Sequence, residues 1–207
     1  MTRLARTAAV AAALVLSVVV LAGTTAGASV QRWSAARHHK AKPVTFTGTI
    51  TCALSATMTA KPPVMLVTPQ ETTLTLKGTL SKCTGTTKKG KVSIKGGTIS
   101  STSKGSVSCG TIASTSSVPG ATGTVSWRAK GGTVKATTFS FSGGSASVAS
   151  GTITYPGTGD TAKSTGSFTG KTASLTGVLT ESASEIGTQC ASGLSTLRLG
   201  KGSSFKA

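Results

Sequence analysis

Residues 45–59 read TFTGTITCALSATMT, and their alternation decides the fold class. Phe46, Gly48, Ile50, Cys52, Leu54, Ala56 and Met58 share one parity, while Thr45, Thr47, Thr49, Thr51, Ser55, Thr57 and Thr59 dominate the other. Successive side chains of a strand point to opposite faces, so a period of two over this length predicts a half-buried β-strand. Lys61-Pro62-Pro63 is expected to end it, because proline brings no N–H to a ladder.

The same pattern continues downstream. Leu74, Leu76 and Leu80 oppose Thr73, Thr75 and Thr79; Gly85 and Gly90, flanking Lys88 and Lys89, then turn the chain into a strand around Val92 and Ile94. Ser100 to Gly120 is a long Ser/Thr/Gly segment closed by Val118-Pro119-Gly120. Val125, Trp127 and Ala129 face together, and Gly131-Gly132 leads into Val134 to Phe141. Val134 and Ala136 differ in parity from Phe139 and Phe141, which predicts a bulge near Thr137. Gly143-Gly144 reads as the next turn, before a strand reaching Ile153 and Tyr155. Phe168, Leu175 and Leu179 mark a further stretch, Thr180 to Ala191 offers one short helix, and Leu194, Leu197 and Leu199 lie in the last strand. About eight strands with glycine-rich turns predict an all-β antiparallel barrel, with a β-sandwich as the alternative. Gly-Thr-[Ile/Val/Leu] recurs at Gly48, Gly78, Gly97, Gly110, Gly123, Gly132 and Gly151, but at irregular spacing, so it is a strand habit and not a solenoid repeat.

Composition agrees with this class. Aromatics are 4% and charged residues 13%, with 26 glycines, which fits a Thr-rich pleated surface with many turns and not a charged disordered tail.

The first 28 residues read as a signal peptide. Arg3 and Arg6 supply a positive start, an uncharged apolar stretch follows, and Ala26-Gly27-Ala28 is an A-x-A cleavage site. The mature chain is expected to begin at Ser29, outside the cell or associated with its wall. Residues 29–43 read as a basic flexible linker, and 44–207 as a single β domain. Nothing after the leader is long and apolar enough to span a bilayer. The adjacent His38 and His39 have no third ligand nearby and read as a solvated pair.

Cys52, Cys83, Cys109 and Cys190 form an even count in an exported chain, which predicts two disulfides. Three pairings are open. A first hairpin would bring Cys52 beside Cys83, and eight alternating strands would put Cys109 and Cys190 in connections at the opposite end, so these two pairs are favoured. The chain-entropy treatment attributes about 3.7 and 4.5 kcal/mol to loops of those lengths.

Several segments together resemble a known group. They are Ile50-Thr51-Cys52, Leu80-Ser81-Lys82-Cys83-Thr84-Gly85, Ser108-Cys109, Val125-Ser126-Trp127, Gly166-Ser167-Phe168-Thr169-Gly170 and the late Cys190. The set is similar to that of small secreted β-rich proteins of actinobacteria. That resemblance implies a barrel-like fold and export, and it carries over no catalytic residue.

An enzyme needs positioned acids, bases or nucleophiles. Both histidines lie in the linker, and Glu71, Asp160, Glu181 and Glu185 are far apart in sequence. No nucleophile elbow, phosphate loop, dinucleotide fingerprint or cluster of metal ligands is present, so no catalysis, metal or cofactor is expected. The net charge is +18, and losing Arg3 and Arg6 with the leader leaves about +16, a balance that attracts polyanions or, when spread over a Thr-rich surface, simply keeps it soluble. Lys82, Lys88, Lys89, Lys91, Lys95 and Lys104 crowd one predicted hairpin with no acid among them. They are the candidate contacts for anionic envelope polymers. Nucleic-acid modules interleave aromatics with charge, and none lies between Lys82 and Lys104, so no specific nucleic acid is expected. The alternative function is a carrier of a small hydrophobic ligand, with Trp127, Phe139, Phe141 and Tyr155 lining the barrel. A hollow interior would favour the carrier and a filled one an interaction or structural role.

Overall fold

The computed structural model describes residues 42–110, 116–168 and 172–207. The predicted leader and almost all of the linker, including His38 and His39, lie outside the described residues.

Eleven strands and one complete helix follow one another among the described residues. The strands are β1 (Ile50–Val64), β2 (Gln70–Gly85), β3 (Lys88–Lys89), β4 (Val92–Val107), β5 (Ser116–Lys130), β6 (Thr137–Ser147), β7 (Thr152–Tyr155), β8 (Ala162–Gly166), β9 (Ser174–Val178), β10 (Leu194–Leu199) and β11 (Ser204–Lys206). The helix, α1 (Ala183–Ser192), stands between β9 and β10. Eight strands close a ring, β1-β2-β4-β5-β6-β7-β9-β11 and back to β1, with every pairing antiparallel. The fold is therefore a closed barrel and not a sandwich. β8 pairs with the first half of β6 while β7 pairs with its end. Likewise β10 pairs with the later half of β1 while β11 pairs with its start. The sixth and eighth passes of the meander are thus each broken into two short strands.

The alternation read at Thr45–Thr59 is the inside and outside of this wall. Ile50, Cys52, Leu54 and Ala56 are buried, and Thr51, Ser55, Thr57 and Thr59 face solvent. The outward residues line up across strands by register: Thr57 opposes Lys77, then follow Ser100, Thr124 and Thr138. β-Branched threonine suits such a half-solvated pleat.

The base of the barrel, where β1 begins, is closed by the residues before β1. Val44 bridges Val134, the Phe168 N–H donates to the Phe46 carbonyl at 3.1 Å, and the Phe46 and Phe168 rings stack at 5.7 Å. The crown, at the other end, carries α1. Ser182 caps it in a reciprocal box with Glu185, whose carboxyl is held below its ordinary pKa by the Ser182 backbone N–H and then by its hydroxyl. Ile186 and Cys190 turn inward.

The disulfides are Cys52–Cys83 and Cys109–Cys190, with no free cysteine among the described residues. The first ties β1 to β2, and the second ties the β4–β5 connection to α1 at the crown.

Three local expectations differ from the structure, and one segment without a reading of its own turns out to be mostly strand. β1 continues through Pro62 and Pro63 to Val64, with a register irregularity after Thr59; the Cα partners between β1 and β2 end at Lys61, so the prolines leave no gap in that ladder. Most of Ser100–Gly120 is strand, divided between β4 and β5, because its alternating Ser and Thr are the outer and inner faces of a long hairpin. The parity change near Thr137 is no bulge: β6 starts there, and Val134 belongs to the preceding connection. Gly143 and Gly144 lie inside β6, and the turn comes after Ser147. A Cβ on Gly144 would stand 2.5 Å from the Tyr155 ring, so these glycines make room for neighbours across the sheet.

Candidate polyanion-binding face

The barrel interior is filled by side chains. Trp127, Phe139, Phe141 and Tyr155 are all buried. Phe139 packs at about 5.2 Å from both Phe141 and Phe205, Phe141 stacks on Tyr155 at 5.4 Å, and Trp127 meets Phe168 edge-on at 5.3 Å. Two small apolar-walled cavities remain between them and the crown, of about 30 and 20 Å3, with Met58, Leu74 and Tyr155 lining both. A small-ligand pocket normally encloses ~300 Å3 or more. The four aromatics proposed as a carrier lining are therefore packed against one another and their neighbours.

Tyr155 is the one titratable group in this interior with a shifted pKa. Its hydroxyl donates to the Pro119 carbonyl at 3.2 Å, beside Ser103, whose hydroxyl donates to the same oxygen at 3.0 Å. Burial pushes the phenol up to about 12, against a smaller opposing effect of the Ser103 hydrogen bond. A phenol held neutral in this way is suited to packing and not to acid–base work near neutrality.

The outer surface of the base is different in kind. Lys82 lies near the end of β2, Lys88 and Lys89 form β3, and Lys91 and Lys95 flank the start of β4. All five are exposed. Register brings further cations alongside: Lys130 pairs with Ser93, Arg128 with Gly96, and Lys206 with Thr51. Lys135 joins from the β5–β6 connection, where its N–H donates to the Val44 carbonyl. The acids are elsewhere. Glu71 opposes Ser106 near the crown, Glu181 and Glu185 flank the start of α1, and Asp160 lies between β7 and β8, accepting from Ser142 at 3.1 Å. Among the described residues, the Asp and Glu side chains thus lie away from these cations.

Lys104 does not belong to it. It pairs with Thr73, toward the crown, because β4 runs unbroken from Val92 to Val107 and carries the lysine to the far end of the barrel. Conversely, Arg128, Lys130, Lys135 and Lys206 are distant in sequence from the lysine-rich hairpin. Only the β4–β5 and β1–β11 registers bring Arg128, Lys130 and Lys206 to the base, and no motif in the chain announces them.

Two lysines at the base sit in ladder irregularities. The β1–β2 register slips between Thr51 and Ala53, opposite Lys82 and Cys83, and the β4–β5 register slips at Lys95. Lys82 has φ of 47°, in the left-handed region that favours glycine. The slip turns Cys83 toward Cys52, its disulfide partner. One side-chain contact also fixes the hairpin: Lys89 Nζ donates to the Thr45 carbonyl at 2.9 Å.

Among the described residues no group of three or more His, Cys, Asp or Glu side chains could hold a metal ion, and no helix is long and apolar enough to cross a membrane. No protein-family model, curated protein or solved structure matches this chain.

Proposed function

We propose that this is a secreted, non-catalytic extracellular or wall-associated protein whose base adheres to anionic envelope polymers. The observation that carries the reading is the segregation of charge: Lys82, Lys88, Lys89, Lys91, Lys95, Arg128 and Lys130 share the base, and the four acids lie elsewhere. Exposed ammonium groups keep their hydration and attract phosphate-bearing chains as point charges, without reading sequence. A filled interior supports an interaction role over a carrier, and two disulfides are compatible with an oxidising location.

The test is a pull-down on cell-wall polyanions at low and high salt. Wild type binds at low salt and is released at high salt, because counterion release makes such binding steeply salt-dependent. Lys88→Glu, Lys89→Glu and Lys91→Glu combined weaken it. Equal binding by both proteins, or binding indifferent to salt, would make the base a solubilising surface only.

A further inference from the structure

The outer wall just above the base carries a trough of about 410 Å3, running over β2, β4 and β5. Thr79, Ser81, Thr98 and Ser126 present hydroxyls along it, and Arg128 stands at its basal end. The floor is low because β4 carries glycine where it faces Arg128. Gly96, opposite Arg128 in register, has φ of 131°, and a Cβ there would meet the Leu80 carbonyl oxygen at 2.3 Å. β4 therefore carries no side chain at the Gly96 position, between Ser81 and Arg128. The Arg128 guanidinium reaches over this gap toward the Lys95 carbonyl at 3.5 Å, and Lys82 follows directly on Ser81.

Lys82 is the second observation. Its left-handed backbone is one that a residue with a Cβ adopts only under strain. The turn that presents Cys83 to Cys52 accounts for the conformation, but glycine would satisfy that turn with less strain. What lysine adds is an exposed cation on the residue next to Ser81, which lines the trough. Strain of this sort is characteristic of places where a side chain is kept for what it binds.

We infer that this trough receives a polymer of phosphodiester-linked polyols. A phosphate sits between Arg128 and Lys82, and the hydroxylated spacer lies on the Thr79, Thr98 and Ser126 row. The inference rests on the polyanion reading of the base and narrows its ligand. Lys88, Lys89 and Lys91 supply attraction for any polyanion, whereas the trough distinguishes a chain that carries hydroxyls between its charges. A guanidinium offers a planar donor fork to phosphate, and serine and threonine hydroxyls both donate and accept.

The experiment compares binding of a glycerol-phosphate oligomer with that of inorganic polyphosphate of equal charge, at one salt concentration, for three proteins. Wild type is expected to prefer the glycerol-phosphate oligomer by about tenfold, the equivalent of one or two neutral hydrogen bonds between spacer hydroxyls and the Thr and Ser row. The Lys88→Glu, Lys89→Glu, Lys91→Glu variant weakens both ligands and leaves the ratio unchanged. The Lys82→Gly, Arg128→Gln, Thr98→Val variant brings the ratio close to one. Lys82→Gly alone should keep or raise the Tm while weakening the oligomer, so lost binding is not lost folding. If wild type binds both polymers equally, or the trough variant keeps the preference, the inference is wrong and the polyanion reading stands. If wild type binds neither, the polyanion reading itself fails.

Discussion

The indole N–H of Trp127 donates to Thr137 Oγ1 at 2.9 Å, and that same hydroxyl donates to the Ser167 carbonyl at 2.6 Å. Thr137 is fully buried, so neither neighbour can turn to water instead. One hydroxyl thus links β5, the start of β6 and the connection after β8 at the base of the barrel.

Thr137→Val keeps the shape and leaves both the indole N–H and the Ser167 carbonyl without this partner. The expected cost is about 2–3 kcal/mol, seen as a Tm lower by roughly 5–10 °C. Thr137→Ser, which retains the hydroxyl, should recover most of that loss in the same thermal melt.

Tyr155, the only tyrosine in the chain, should show no tyrosinate absorbance near 295 nm until well above pH 10, with a midpoint at about 12. The unfolded phenol ionises near 10, so between 10 and 12 the folded state holds the extra proton. Stability from this group is therefore complete below pH 10 and falls as pH rises toward 12. Chemical denaturation across that range should show the decline, and Tyr155→Phe should remove this part of it. A midpoint near 10 in the folded protein would contradict the burial described here.

Non-reducing peptide mapping should recover Cys52 joined to Cys83 and Cys109 joined to Cys190, with no free thiol among them. Removing a pair by double serine substitution should cost about 3.7 kcal/mol for the shorter loop and about 4.5 for the longer. Equilibrium denaturation of the two variants gives the comparison.

A filled barrel should not take up apolar probes. Titration with a fluorescent fatty acid is expected to give no saturable, stoichiometric signal, because cavities of about 30 and 20 Å3 admit no such chain. A one-to-one isotherm quenched by Tyr155→Trp would restore the carrier reading.

The fold was legible wherever one face of a strand is buried. Ile50 to Met58 alternate because the wall has an inside and an outside, and nothing else produces that period over so many residues. The pattern was lost where inward positions are small: Ser101, Ser103 and Ala121 are buried, yet serine and alanine carry little hydrophobic signal. The pair Gly143-Gly144 misled for a related reason. Glycine marks a turn in isolation, but here it clears space for Tyr155, a contact set by tertiary structure. β11 went unread because three residues cannot show a period. The lysine-rich hairpin was visible as a local cluster, whereas Arg128 and Lys206 reach the base only through register, and Lys104 leaves it for the same reason.

The two-part eighth pass, β10 and β11, has a consequence for the order of assembly. β1 pairs with β2 on one edge, and its other edge is completed only by residues 194–206. A chain that emerges from its N-terminus can form the first hairpin and join Cys52 to Cys83 while most of the sequence is still to come. Its β1 edge must nevertheless stay open until the last strands arrive, and an open edge is a template for pairing with other chains. Non-local closure of this kind is also slow. The most hazardous moment for this protein is therefore late in its own folding, when seven passes are in place and the ring still lacks its final one.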